Sequence, residues 1–204
     1  NLNKISVFNY NTRAIVVKTY IAFIIVILLF TLILMVYFKE YVKWMKPLLI
    51  AVLIVPTALL ILPLFNPWNT IKFVFCLIMT VTAYSVGIFY LLKDNMKIFV
   101  TSCLLSTGII LVDTFLSNPL MRVSVLGYDP IIGARFYGIG NEYMGYLLGT
   151  TLIGTAALID MYRGKASLPK LVSIGIYAVV LITLMLPILG TNVGGTMAAF
   201  LGFG

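Results

Sequence analysis

Apolar residues run along this chain in long unbroken stretches, unlike the alternating or one-sided patterns of soluble strands and helices. Six stretches, at about 19–38, 47–65, 73–92, 98–116, 141–159 and 171–189, each come close to the ~20 residues that cross a bilayer as helix. A seventh starts near Gly194 and is cut off at Gly204. Lipid gives the backbone no hydrogen-bond partners, so each stretch is predicted to be helical. The predicted fold class is all-α: a single polytopic transmembrane helix bundle over 1–204, with six complete spans and a truncated seventh. A chain that begins at Asn1 and stops inside an apolar run reads as a piece of a longer protein. Pro56 and Pro63 fall in the second span and Pro187 near the end of the sixth, so kinks are expected there.

Composition agrees with the pattern. The chain is 62% hydrophobic and 10% charged, with a mean hydropathy of +1.11, against ~25% charged residues in soluble domains. The net charge of +8 sits in short gaps between apolar runs. That placement reads as topology determinants and lipid-headgroup contacts, not as a nucleic-acid surface. The absence of histidine removes imidazole acid/base chemistry and argues against a zinc site. No cofactor is implied, although carboxylates leave a hard divalent cation open. Cys76 and Cys103 lie inside apolar runs and read as small buried hydrophobes.

Lysine and arginine set the orientation. Let side A be the side of the N-terminus. The side-B connections hold eight basic residues: Lys39, Lys43, Lys46, Lys93, Lys97, Arg163, Lys165 and Lys170. The side-A connections hold three, Lys72, Arg122 and Arg135, and the tail before the first span adds Lys4, Arg13 and Lys18. With the tail set aside, side B is expected to be cytoplasmic, and the N-terminus and the 117–140 loop extracytoplasmic, in a multi-pass plasma-membrane protein.

Candidate chemistry gathers on side A. The connection 117–140, "SNPLMRVSVLGYDPIIGARFYGIG", is about twice as long as the others and still rich in apolar residues. It is expected to lie in the interface or re-enter the membrane, where irregular backbone must rest against protein or a wet cavity. Gly127, Gly133, Gly138 and Gly140 would permit close backbone approach and positive φ, and "YDP" at 128–130 reads as a turn. Asp113 lies one turn inside the fourth span, and Asn141 and Glu142 open the fifth. Arg122 and Arg135 sit between them, and Asn192 lies in "GTNVGG" before the seventh span. Intramembrane ionisable groups each cost about 2.5–3.5 kcal/mol, which makes such a cluster a candidate site. Glu142, Asp129 and Asp113 are the candidate bases. Arg135, Arg122, Asn141, Asn192, Gly138, Gly140 and Gly194 are the candidate substrate-binding residues, with helix N-termini at Asn141 and Gly194 suited to a phosphate. Gly145 and Gly149 form a GxxxG, which is read as a close helix-packing face that fixes the start of the fifth span.

The quoted segments "GARFYGIGNEYMGYLLG" and "LPILGTNVGGTMAAFLGFG" resemble a pattern in uncharacterised bacterial multispanning membrane proteins. There a G-R-F-x-G-x-G-N motif precedes a G-x-[DN]-V-G-G motif. A looser similarity extends to the O-antigen ligase and polymerase superfamily, with Asn141 in the place of its motif asparagine and Gly194 and Gly195 in the place of its glycines. Two departures stand out: there is no "NPN", and Asn192-Val193 replaces Ser-Arg. The resemblance covers about a third of the chain. It implies transfer of glycan from a polyprenyl-diphosphate carrier on the outer face, with membrane lipid and a polyprenyl-linked sugar as partners. The residues by themselves leave two alternatives. One is a transporter or flippase for an anionic solute or lipid. The other is a membrane domain without chemistry that anchors an extracytoplasmic enzyme.

Overall fold

A computed structural model of the chain describes residues 2–133, 136–163 and 167–203. Among the described residues it is all helix and irregular turn. The helices are α1 (Leu2–Tyr37), α2 (Lys46–Ile61), α3 (Thr70–Leu91), α4 (Asn95–Phe115), α5 (Asn141–Met161), α6 (Leu168–Met185) and α7 (Val193–Phe203). Short 3-10 helices, Lys39–Met45 and Leu62–Phe65, flank α2. Six helices are long and apolar enough to cross a membrane, and α7 is shorter. The chain is an integral, multi-pass membrane protein in contact with lipid.

The helix ends follow local chemistry. Asn69 caps α3 by accepting from the Ile71 N–H at 2.9 Å, and Asp94 caps α4 through the Lys97 N–H, also at 2.9 Å. Pro47 and Pro169 sit in the first turns of α2 and α6, where a missing N–H costs nothing. The three interior prolines act differently from one another. Helix α2 runs through Pro56 to Ile61, Pro63 lies in the 3-10 turn that follows, and α6 ends at Met185, two residues before Pro187.

Two expectations need correction. The residues before 19 are not a tail: α1 is continuous from Leu2. At ~1.5 Å per residue its 36 residues rise about 54 Å, well beyond a ~30 Å hydrocarbon core. Among the described residues of the chain the GxxxG is not a packing face either. A Cβ added to Gly145 or Gly149 would meet nothing within 4 Å. The close approach lies two turns further on, where a Cβ on Gly154 would come 2.7 Å from the Cβ of Cys103 and so presses α5 onto α4. Against α7 the small residues are on the other partner, because a Cβ at Gly195 would lie 2.5 Å from Met144 Cγ.

The main core lies toward side A. Leu59, Leu60 and Leu62 from α2 and its 3-10 extension meet Ile110 of α4, Tyr143 and Leu147 of α5, and Val180 and Leu184 of α6. Met121, Val125, Leu126, Tyr128 and Ile139 of the 117–140 connection belong to the same cluster. A smaller cluster at side B holds Ile50, Ile88 and Ile98. The long connection is therefore a packed cap on the side-A end of the bundle, which explains its apolar content.

Candidate functional site at the side-A cap

The cap begins where α4 stops. Ser117 and Asn118 turn the chain at φ +68 and +59, and Asp113 fixes the result. Its buried carboxylate accepts from the Leu120 N–H at 2.8 Å and the Met121 N–H at 3.0 Å, one amide per oxygen. The Asn118 N–H returns to the Asp113 carbonyl at 2.7 Å. Ser124 then donates to the Leu59 carbonyl at 3.0 Å and shares a 2.6 Å hydrogen bond with Tyr143. Gly127 is needed for close approach, since a Cβ there would collide with the Met121 carbonyl.

Asp129 closes the predicted turn. Its carboxylate accepts from the Ile132 N–H at 3.1 Å, and its carbonyl accepts from the Gly133 N–H at 3.0 Å. Gly133 and Gly138 adopt φ +75 and +70, as the glycine content anticipates. A Cβ at Gly138 would run into the Gly190 carbonyl, which accepts from the Ile139 N–H at 2.7 Å. Asn192 completes this clasp. Its amide donates to the Ile139 carbonyl at 2.9 Å and to Asn141 Oδ1 at 3.4 Å, and its Oδ1 accepts from the Gly195 N–H at 2.7 Å to cap α7.

The charged centre contains a residue that sequence reasoning counted as tail. Arg13, on α1, donates to Glu142 Oε1 at 2.5 Å and to the Gly127 carbonyl at 3.1 Å, and lies 3.8 Å from Asp129. Asn9, one turn earlier, donates to the Val123 carbonyl at 3.0 Å, and Phe8 packs on Trp68 and Phe73. A signal for this exists in the sequence. Ile5, Phe8, Asn9, Thr12, Arg13 and Val16 recur at three- and four-residue spacing, one face of a helix.

Of the predicted site residues, Asp129 and Glu142 meet through Arg13, and Asn141, Asn192 and Gly138 meet in the clasp. Gly140 is the residue before α5 and has no side-chain cap to offer it. Gly194 is exposed in the first turn of α7. Asp113 lies beneath the cap with both oxygens occupied. Arg122 is exposed on its outer surface and has no ion pair among the described residues. Arg135 lies outside the described residues. Glu142, with its side chain 42% exposed, is the open carboxylate, whereas Asp129 is 6% exposed. In the same cap Ile131, Ile132, Phe136 and Tyr137 stand exposed, which gives it an apolar outer surface. Among the described residues no group of three or more acidic or cysteine side chains that could hold a metal ion comes together. No protein family, no curated protein and no solved structure matches the chain.

Proposed function

We propose that this protein is a membrane-embedded enzyme of the bacterial cell envelope that transfers glycan from a polyprenyl-diphosphate carrier on the extracytoplasmic face. The observation that carries the reading is the Arg13–Glu142 pair: a carboxylate open to solvent, held by an arginine from another helix, in a cap with an apolar outer surface. An amphiphilic donor needs both parts, a surface for its chain and cations for its head.

In this reading Glu142 is the base. The acceptor hydroxyl attacks the anomeric carbon of the sugar, the bond from that carbon to the diphosphate oxygen breaks, and the electron pair leaves with the diphosphate. The hydroxyl proton passes to Glu142. Neutralising Glu142 frees Arg13 of its partner as negative charge grows on the leaving group, and Arg13, Arg122 and Arg135 supply the counter-charge. Asp113 and Asp129 shape the cap in this scheme, because their oxygens already accept backbone amides.

The test is sugar transfer from polyprenyl-diphosphate donors in membranes that contain the protein. Glu142→Gln should lower turnover about 100-fold, the lower end for loss of a general base, with donor binding retained. Arg135→Ala should weaken both. Full transfer by the Arg135→Ala/Glu142→Gln double variant would refute the proposal.

A further inference from the structure

A lipid-facing groove runs along α4 from its side-B end. Its side-B part, of about 500 Å³, lies between α4 and the end of α5, with Lys97 and Tyr162 at its mouth and Leu104 and Leu105 within. A second part, of about 310 Å³, lies between α4 and α6 and reaches Leu111 and Val179. Leu104 lines both, so the two adjoin at that residue, end to end along α4. Gly108 and Gly175, on facing helices, form the floor of the second part. Neither serves helix packing, since an added Cβ at either would meet nothing within 4 Å.

From the mouth at Lys97 to Leu111 the groove follows α4 for about 21 Å at ~1.5 Å per residue. A helix tilted by about 20° covers about 20 Å of depth over that length, so the groove starts at the side-B interface and passes the midplane of a ~30 Å hydrocarbon core. It has room along it for one extended acyl chain. The mouth is basic. Asp94 caps α4, and Asp160 faces Arg163 at 3.7 Å. That leaves exposed Lys93 and Lys97 with no ion pair among the described residues.

We infer that this groove is a binding site for one anionic phospholipid, with a single acyl chain along Leu104, Gly108 and Gly175 and its phosphate at Lys97 and Tyr162. Basic residues beside a membrane favour anionic headgroups, and a tyrosine at the interface presents an apolar ring and a hydroxyl. The site is separate from the side-A cap and stands whatever that cap does.

Native mass spectrometry of the full chain in mild detergent tests it, with dioleoylphosphatidylglycerol and dioleoylphosphatidylcholine added in turn. One phosphatidylglycerol should be retained per protein, about fivefold more tightly than phosphatidylcholine, the factor that one basic residue near an anionic surface supplies. Lys97→Gln should remove that preference. Gly175→Leu fills open space without meeting backbone and should lower retention of both lipids about tenfold, as loss of several buried methylenes implies. Gly108→Leu is the second variant should the first not fold. Equal retention of the two lipids by the wild type, or unchanged retention in the filled variants, would overturn the assignment. Displacement by millimolar inorganic phosphate would also overturn it, because the ligand would then be a free phosphate.

Discussion

The side-A cap and the hydroxyl belt inside the bundle both place polar groups where water is scarce, and they satisfy them differently. In the belt, partners are mostly near in sequence or of the same kind, with the Tyr146 hydroxyl on the Leu53 carbonyl as an exception. Ser102, Thr114, Thr155 and Thr183 each donate to the carbonyl four residues earlier. Thr57, Ser106 and Tyr146 form a closed group with distances of 2.8–2.9 Å, and Thr107 pairs with Thr150 and Thr151. The cap combines local turns, with Asp113 on the Leu120 and Met121 amides and Asp129 on that of Ile132, with partners that are remote and unlike. Arg13 and Glu142 are 129 residues apart, and Asn9 and Val123 are 114 apart. The belt uses groups that a helix can satisfy almost alone. The cap folds on the local Asp113 turn, and its Arg13, Asn9, Ser124 and Asn192 side chains find these partners only once α1, α2, α5 and α7 are assembled around it. Disturbing the cap should therefore be costly and non-local, and disturbing the belt cheap and local.

The largest effect belongs to Asp113. Asp113→Ala leaves the Leu120 and Met121 amides buried without acceptors, at about 1–3 kcal/mol each. A loss of about 3 kcal/mol should appear in unfolding of the detergent-solubilised protein. Asp113→Asn keeps one acceptor oxygen and should recover roughly half of that loss. Wild-type stability in Asp113→Ala would place the anchor of the cap elsewhere. Gly138 comes next. Gly138→Ala must hold φ +70 and displace the Gly190 carbonyl, a strain of about 1–3 kcal/mol. Gly145→Ala, with open space around it, should lie within ~0.5 kcal/mol of wild type. The two alanines compared by thermal unfolding separate a glycine that the cap requires from one that the helix tolerates. Equal effects would restore the GxxxG as a packing face.

The spans were legible because a bilayer imposes one rule on every apolar stretch. Predicted and observed helix bounds differ by a few residues for all but α1. There the charges Lys4, Arg13 and Lys18 hid a helix face that becomes meaningful only once the cap it rests against exists. Glu142, Asp129, Asn141 and Asn192 could be nominated from polarity in an apolar context. The division between them could not. Whether a carboxylate is open, as Glu142 is, or filled by backbone amides, as Asp113 is, depends on a turn at Ser117 and Asn118 with positive φ at residues other than glycine. The GxxxG was misread because spacing places small residues on one face without saying which helix arrives at that depth. Cys103 arrives at Gly154, and nothing within 4 Å arrives at Gly145.

The Arg13–Glu142 contact is a short hydrogen bond, yet Glu142 is 42% exposed, so solvent screens it. A double-mutant cycle with Arg13→Gln and Glu142→Gln should give a coupling of about 0.5–1 kcal/mol, the range for partly exposed pairs. The coupling should shrink as salt is raised toward 1 M, where the screening length falls to ~3 Å. The Arg13→Gln single variant should lose somewhat more than the coupling, because the Gly127 carbonyl also loses its donor. A coupling of zero at low salt would mean that Glu142 takes no part in holding α1 to the cap, which would leave Phe8, Asn9 and the Arg13–Gly127 hydrogen bond.

A small effect is also expected in the belt, and it bears most directly on the contrast. Thr107 touches Thr150 at 3.0 Å and Thr151 at 3.2 Å, all three buried. Thr107→Val keeps the shape and removes the hydroxyl. Both former partners can turn to their own helix, and Thr150 already donates to the Tyr146 carbonyl at 2.9 Å. Interhelical hydrogen bonds of this kind average about 0.6 kcal/mol in membranes, so the variant should unfold within ~1 kcal/mol of wild type. A loss as large as that of Asp113→Ala would mean that the belt, like the cap, is a cooperative network, and that α4 and α5 are joined by these hydroxyls and not chiefly by the close approach at Gly154.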